Sequence, residues 1–301
     1  MRSAGARLNS YGNRKHARAQ KFVRILPSGI SSANPAEMRN HSIPDDDTDV
    51  LSKVPRVTLA FWVVKILATT LGETGGDALS MTLNLGYAVS TLIFLAFFLV
   101  TLVAQVGSKH YHPVFYWAVV VATTTVGTTT SDYIDRTLGL GYVNSSIILL
   151  GLVIAILVVW RLTTGHIVVD HVIARKDEVF YWVTILVSNT LGTALGDFVA
   201  TTTGLGFEGG ALVFTGLIAI VAALHFWTDI PTSILFWAGY VLTRPLGATL
   251  GDTLTKPVQQ GGLNLGRFTS SLVIAALMVI LVSVTRLRKR GWEQHATSPS
   301  A

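Results

Sequence analysis

The sequence contains no cysteine and few charged residues. None of its 301 residues is Cys, which excludes disulfide bonds, iron–sulfur clusters, Cys-ligated zinc and a thiol nucleophile. Charged residues make up 13% of the chain, about half of what is usual in soluble domains. Half of the residues are hydrophobic, and the mean hydropathy is +0.52. This composition excludes a typical soluble enzyme and predicts a membrane protein that spans the bilayer several times.

Acidic residues are absent from the first 36 positions, which hold seven arginine or lysine residues. An acidic cluster follows at Asp45, Asp46, Asp47 and Asp49. This region has no apolar run as long as that of a signal peptide, so we expect no cleaved secretory signal. We interpret residues 1–55 as a disordered cytoplasmic tail. A transit peptide and a translation start at Met38 stay open as alternatives.

From Val57 onward, apolar stretches alternate with short polar breaks. Each stretch approaches the roughly 20 residues that a helix needs to cross the hydrocarbon core of a bilayer. Only helices and closed barrels satisfy their backbone hydrogen bonds in lipid, and the alternation typical of barrel strands is missing. We therefore predict an all-α integral membrane fold with eight transmembrane helices. They lie at about 57–78, 87–107, 114–133, 142–160, 178–198, 209–228, 233–252 and 267–285.

Lysine and arginine are concentrated on one side of the predicted bundle. The N-terminal tail, the connections after the second and fourth predicted helices, and the C-terminal segment together hold 18 of the 23 basic residues. The positive-inside rule places this side in the cytoplasm. We therefore predict that both termini, including a short tail at 287–301, are cytoplasmic.

One pattern recurs four times along the predicted bundle. In each copy an aromatic–Trp pair is followed, ten residues after the Trp, by Gly and, five residues later, by Asp. The repeats cover about 57–107, 114–160, 178–228 and 233–286, and their aspartates are Asp77, Asp132, Asp197 and Asp252. Because each unit crosses the membrane twice, we predict four parallel two-helix repeats. We expect the odd-numbered helices, which carry the motif, to face one another and the apolar even-numbered helices to face lipid.

Polar residues one helical turn apart form a stripe on the odd-numbered helices. In the first helix, Lys65, Thr69, Glu73 and Asp77 follow one another at intervals of four residues. Ionisable groups at membrane depth are costly and are candidates for function. Glu73 and Asp77 cannot both be ionised cheaply, so either one is protonated or a cation lies between them. The predicted ion- or substrate-binding residues are Lys65, Glu73, Asp77, Asp132, Asn189, Asp197, Arg244 and Asp252.

A structural explanation of the same motif stays open. Small residues four apart, such as Gly72 and Gly76, allow helices to pack closely, and the repeated tryptophans suit anchors at the membrane interface. The aspartates either cap the segment that follows or pair with cations. The candidate pairs are Asp77 with Lys65 or Arg244, and Asp132 or Asp135 with Arg136.

Other candidate sites have little support. Two neighbouring loops hold His110, His112, His166 and His171. These side chains allow metal binding, although solvated histidines are the more common case in such loops. The sequence shows no glycine-rich phosphate loop after a strand and no recognisable Ser/His/Asp order. We expect no cofactor, no nucleic-acid partner and no enzymatic activity.

The pattern Trp-x9-Gly-x4-Asp, clearest at Leu71–Asp77, resembles a bacterial family of four-repeat membrane proteins. That family is catalogued as a repeat of unknown function and is often labelled uncharacterised membrane-anchored protein. The resemblance covers roughly 57–286, implies the bacterial cytoplasmic membrane and brings no activity with it. Motifs of small manganese or calcium/proton antiporters and of intramembrane aspartyl proteases match poorly, since Ala78 and Thr74 replace residues that those motifs require.

The sequence predicts a secondary transporter or permease for a cation or a small polar solute, with proton or ion coupling. A structural or signalling membrane protein is the first alternative, and an intramembrane enzyme is the second. The predicted partners are the lipid bilayer and a small solute or ion. The substrate, the direction of transport, the coupling ion and the oligomeric state stay open.

Overall fold

The computed structural model describes residues 54–108, 111–167 and 175–297. Most of the predicted N-terminal tail lies outside the described residues, as do Met38, His110 and His171. Within the described part the regular structure is entirely helical. The chain is therefore an all-helical protein in the part that the structure describes, as predicted.

Eight long α-helices follow one another in the described part of the chain. They are α1 Leu59–Asp77, α2 Gly86–Gly107, α3 Pro113–Asp132, α4 Tyr142–Thr164, α5 Arg175–Asp197, α6 Gly206–Trp227, α7 Thr232–Thr255 and α8 Arg267–Thr297. Most boundaries lie within a few residues of the predicted apolar segments. The exception is α8, whose backbone continues as a helix through most of the predicted C-terminal tail.

Local chemistry sets several helix boundaries. The side-chain oxygen of Thr58 accepts a hydrogen bond from the backbone N–H of Phe61 at 3.3 Å and so caps α1. Pro113 begins α3, where its missing N–H breaks no intrahelical bond. The helices α1, α3 and α5 end at the repeated Asp and continue into one π-helical turn each, Ala78–Thr82, Tyr133–Thr137 and Phe198–Thr202.

The repeated aspartates do not cap these π-helical turns. The side chains of Asp77, Asp132 and Asp197 make no capping hydrogen bond, which contradicts the capping interpretation for these three residues. The chain reverses further on, through a backbone position with positive φ that only Gly and Asn adopt readily. This position is occupied by Asn84, Gly139, Gly204 and Asn264.

The odd-numbered helices form an inner ring. Along the ring α1 contacts α3, α3 contacts α5, α5 contacts α7, and α7 closes the ring on α1. Each outer helix packs mainly on the inner helix of the following repeat: α2 on α3, α4 on α5, α6 on α7 and α8 on α1. The contacts between inner helices agree with the expected arrangement of the motif-bearing helices, whereas the overlap between consecutive repeats is a finding of the structure.

The outer helices present apolar side chains to their surroundings. Four of them have 66–74% of their surface exposed: Leu92, Val103, Leu212 and Leu272. Five segments are long and apolar enough to cross a membrane: Gly86–Gly107, Tyr142–Thr164, Lys176–Thr202, Gly206–Trp227 and Arg267–Leu287. A surface of this kind is solvated by lipid, which identifies the fold as that of a helical membrane protein.

Candidate functional site

The candidate site is a column of side chains along the axis of the inner ring. Each inner helix contributes five residues at intervals of four. The equivalent residues of the four inner helices form one level of the column, which gives five levels. All twenty side chains are buried. The aromatic level holds Phe61, Tyr116, Tyr181 and Phe236; the Lys65 level holds Lys65, Val120, Ile185 and Tyr240; the Arg244 level holds Thr69, Thr124, Asn189 and Arg244; the Glu73 level holds Glu73, Thr128, Thr193 and Ala248; and the aspartate level holds Asp77, Asp132, Asp197 and Asp252.

Aromatic rings close one end of the column. Each aromatic residue of the first level packs on the tryptophan of the following repeat, with ring centroids 5.7–5.8 Å apart. The hydroxyl groups of Tyr116 and Tyr181 also form a hydrogen bond of 2.7 Å. Three of the repeated tryptophans, Trp117, Trp182 and Trp237, are buried in this layer rather than turned outward as interface anchors. The layer defines the aromatic end of the bundle.

The repeated glycines allow the inner helices to touch. A Cβ on Gly72 would lie 2.2 Å from Oγ1 of Thr124, and one on Gly247 would lie 2.1 Å from Oγ1 of Thr69. Gly127 and Gly192 stand in the same relation to Asn189 and Arg244. Each repeated Gly thus faces the Arg244-level residue of the next repeat, which supports a packing role for the glycines.

Lys65 lies inside the bundle without a carboxylate partner. Its side chain is fully buried, and its ammonium nitrogen lies 4.2 Å from the centroid of the Tyr240 ring. Neither Nζ of Lys65 nor the hydroxyl of Tyr240 has a hydrogen-bond partner among the described residues. The predicted pair of Lys65 with Asp77 is therefore wrong, because the two residues are three turns apart and Asp77 has a different cation.

Arg244 connects all four inner helices at the centre of the ring. Arg244 lies on α7, and its Nη2 is 3.0 Å from Oε2 of Glu73 on α1. The same Nη2 donates hydrogen bonds to Oγ1 of Thr128 on α3 and to Oγ1 of Thr193 on α5. Its Nε and Nη1 atoms have no acceptor among the described residues. The predicted pair of Arg244 with Asp77 is wrong, since the guanidinium neutralises Glu73 instead.

Asn189 lies beside Arg244 at the same level of the column. Its Nδ2 donates to Oγ1 of Thr123 at 3.0 Å, whereas its Oδ1 has no donor among the described residues. All eight predicted site residues are buried in the inner ring. They are spread over four levels of the column rather than gathered in one cluster.

Two cations, which the predicted site did not include, bridge the four aspartates. Lys256 Nζ lies 2.9 Å from Oδ2 of Asp77 and 3.1 Å from Oδ1 of Asp252. Nε of Arg136 lies 2.9 Å from Oδ1 of Asp132, and its Nη2 lies 3.0 Å from Oδ2 of Asp197. The predicted pair of Asp132 with Arg136 is therefore confirmed. Each cation stands four residues after the Asp of an even-numbered repeat, a regularity that the sequence already contained.

The two bridges differ in their access to solvent. The side chain of Arg136 is 31% exposed, whereas that of Lys256 is 6% exposed. Burial lowers the pKa of Lys256, but the carboxylates of Asp252 and Asp77 raise it more, so that its pKa lies well above the ordinary value. The two carboxylates therefore favour the charged ammonium form of Lys256. The fourth repeat has five more residues between its Asp and the following Gly than the other repeats have. This longer loop folds back on Lys256, since the N–H of Asn264 donates to the carbonyl oxygen of Lys256.

Three carboxylates lie close enough to hold a metal ion. Glu73, Asp77 and Asp252 each offer an oxygen, and these atoms lie within 4.8 Å of one another. Oxygen ligands of this kind suit a hard divalent cation. In this structure the side chains of Arg244 and Lys256 neutralise the three carboxylates.

The loop histidines are placed separately from this column. Nε2 of His166 lies 3.6 Å from Oδ2 of Asp177, whose Oδ1 accepts a hydrogen bond of 2.7 Å from Nε1 of Trp160. Neither His112 nor His166 belongs to a group of three potential metal ligands within the described residues.

The inner ring and its buried charges define the class of protein: a helical membrane protein with an internal fourfold repeat. A family model described as Repeat of Unknown Function (DUF347) matches residues 60–111, 115–166, 180–230 and 235–290. The chain belongs to this family, which agrees with the resemblance found in the sequence. No curated protein and no solved structure matches the chain.

Proposed function

We propose that the protein is a secondary transporter or permease for a cation or a small polar solute, coupled to protons or ions. The observation that carries this proposal is the column of buried ionisable side chains from Lys65 to Lys256 along the axis of the ring. A buried ion pair contributes little to stability compared with apolar residues of similar volume. A ring that served packing alone would therefore be at least as stable with apolar side chains at these positions. Charges at membrane depth suit a path for ions or solutes.

The proposed topology has eight spans and both termini in the cytoplasm. The helices α1, α3 and α7 are more polar than the other five, but the outer helices α8, α2 and α6 pack on them and shield them. The excess of basic residues places the aromatic end of the bundle on the cytoplasmic side. The family resemblance supports a bacterial cytoplasmic membrane.

The two ends of the column supply two candidate barriers. The aromatic level closes one end, and the bridges made by Arg136 and Lys256 tie neighbouring inner helices together at the other. One bridge joins the fourth repeat to the first, and the other joins the second repeat to the third. Both bridges therefore connect the two halves of the chain, which are the first two repeats and the last two. We propose that the halves rock against each other and open the two ends in turn.

Lys256 is the proposed point of proton coupling. Arginine stays charged in proteins, whereas a lysine in a dry site releases its proton more readily when it loses a carboxylate partner. Opening of the aspartate end separates Lys256 from Asp77, because Asp77 ends α1 and Lys256 follows α7 in the other half of the chain. Asp252, four residues before Lys256, stays as its one carboxylate partner in the open state. Arg136 has no such freedom and keeps a fixed charge.

A structural or signalling role is the second candidate function. The contacts of Gly72 and Gly247 and the bridges between neighbouring helices support a role of the motif in assembling the ring. An intramembrane enzyme has less support, because each of the four repeated aspartates lies within ion-pair distance of Arg136 or Lys256. We therefore propose no catalytic role.

A deletion strain tests the proposal. The strain is challenged with a panel of metal salts and osmolytes, and the resulting defect is complemented with Asp132→Asn or Asp197→Asn at matched expression. Glu208→Gln, which changes an exposed acidic residue of α6, is the control. We expect the control to complement fully and both Asn variants to fail. Full complementation by both Asn variants would support the structural alternative.

A further inference from the structure

Hydrogen-bond donors without acceptors gather at two adjacent levels of the column. They are Nζ of Lys65, the hydroxyl of Tyr240, and Nε and Nη1 of Arg244. All three side chains are fully buried, and they belong to α1 and α7, which pack against each other. The ammonium group of Lys65 lies against the Tyr240 ring, and Arg244 follows Tyr240 by one helical turn. Buried donors are nearly always paired in folded proteins, so this cluster points to an acceptor supplied from outside the chain.

The local charge agrees with this interpretation. Above the aspartate level, the column holds two basic side chains, Lys65 and Arg244, and one acidic side chain, Glu73. Glu73 is bound to Arg244 at 3.0 Å, so Lys65 has no carboxylate to neutralise it. The aspartate level does not supply a counter-ion for Lys65, because its four carboxylates are already bridged by Lys256 and Arg136. An isolated ammonium group in a dry interior either loses its proton or acquires an anion.

We infer that Lys65, Tyr240 and Arg244 bind the anionic group of a small ligand, either a halide ion or the carboxylate of an organic solute. Arg244 and Lys65 provide the positive charge, and the phenol hydroxyl provides a neutral donor. The free donors outnumber the free acceptors at these levels, where Oδ1 of Asn189 is the unpaired acceptor. The inference rests on the proposed function in one respect, since the organic carboxylate would be the small polar solute that travels along the column and the halide would be the coupling ion.

Equilibrium binding to the purified full-length protein in detergent tests this site. Thermal unfolding is measured while chloride or formate replaces a bulky organic sulfonate at constant ionic strength. Chloride represents a halide, and formate represents the carboxylate of a solute. We expect at least one of the two to raise the melting temperature of the wild-type protein by several degrees, since a ligand that binds only the folded state stabilises it.

Two variants assign the effect to the cluster, and one controls for surface charge. Lys65→Met keeps a similar volume and removes the buried ammonium group, so it should fold, match or exceed the wild-type stability in sulfonate, and lose the response. Tyr240→Phe should weaken the response about tenfold in ligand concentration, as expected for one lost hydrogen bond. Arg161→Gln removes an exposed cation and should keep the full response.

Two results would overturn the inference: no anion-specific stabilisation of the wild-type protein, or the same stabilisation in Lys65→Met. Either result would mean that Lys65 binds no anion and would leave the transporter proposal standing, because the complementation test does not depend on anions. Conversely, the wild-type protein could bind anions while its Asp→Asn variants complement fully. That combination would support the anion site and contradict the proposed transport function.

Discussion

Arg244 and Glu73 form an ion pair of 3.0 Å that joins the last inner helix to the first. The pair closes the ring, because the two residues are 171 positions apart in the sequence and lie on the last and the first inner helix. Both side chains are buried, and the same guanidinium group also binds Thr128 and Thr193. One arginine therefore holds all four repeats in register at the middle of the bundle.

Replacing one partner of this pair should destabilise the fold more than replacing both partners. Glu73→Gln leaves the guanidinium of Arg244 without a counter-ion and should reduce the free energy of unfolding by about 3–5 kcal/mol. The double variant Glu73→Gln, Arg244→Met removes both charges and should be less destabilised than the sum of the two single variants. A double-mutant cycle from thermal unfolding in detergent measures this coupling, and additive single effects would contradict the assigned pair.

Two glycines one turn apart offer a matched comparison of packing. Gly72→Ala places a Cβ 2.2 Å from Oγ1 of Thr124 and 3.0 Å from its backbone, so α1 and α3 must move apart. We expect a loss of about 1–3 kcal/mol in stability. Gly75→Ala meets its nearest neighbour at 3.9 Å and should be neutral or stabilising by about 0.5–1 kcal/mol, as is usual for Gly→Ala in a helix. Equal melting temperatures for the two variants would contradict the close contact.

The tyrosine pair at the aromatic end predicts a compensating double substitution. Tyr116→Phe or Tyr181→Phe alone leaves one buried hydroxyl without its partner and should cost about 1–3 kcal/mol. The double variant leaves no orphan hydroxyl at this contact, and Phe61 and Phe236 show that phenylalanine fits the equivalent positions. Thermal unfolding should therefore show the double variant to be at least as stable as either single variant. A double variant less stable than both would argue against the Tyr–Tyr contact.

The two cationic bridges should differ in strength. Lys256→Met leaves Asp252 unpaired in a buried site, leaves Asp77 with the longer contact of 3.5 Å to Arg267, and should lower stability by about 3–5 kcal/mol. Arg136→Met acts on a bridge whose cation is 31% exposed, so that solvent already screens the interaction, and should cost less. The ranking is measured by unfolding at equal protein and detergent concentrations. A larger effect for Arg136→Met would contradict the exposures of the two bridges.

Fourfold repetition made much of the fold and the position of the site predictable. The recurrence of the Gly and Asp positions places equivalent residues on equivalent helices, so the inner ring and its polar lining follow from spacing alone. The packing of α2 on α3, rather than on α1, depends on the shape of whole helix surfaces and has no local signal.

The ion pairs were less predictable than the positions of the charges. The sequence stripe from Lys65 to Asp77 suggested pairs along one helix or with Arg244, but the actual partners of Asp77 lie beyond α7 and at the start of α8. Lys256 comes directly after a helix end, and the longer loop of the fourth repeat folds back and binds its backbone carbonyl. Such contacts depend on how a loop closes, which spacing within helices does not determine.

The absence of cysteine allows a direct test of the central claim, that the column lies on a pathway through the membrane. Thr193→Cys places the single thiol of the protein at the Glu73 level, beside Arg244. Leu138→Cys, in an exposed turn near the aspartate end, is the positive control, and Leu212→Cys, on the apolar outer face, is the negative control.

The measurement is the modification of each single-cysteine variant in intact membranes by a small, membrane-impermeant thiol reagent. A transport pathway predicts that Thr193→Cys reacts like Leu138→Cys, although more slowly, while Leu212→Cys stays unmodified. The contradicting result is a Thr193→Cys protein that stays unmodified in membranes under conditions that modify Leu138→Cys completely, yet reacts after unfolding in detergent.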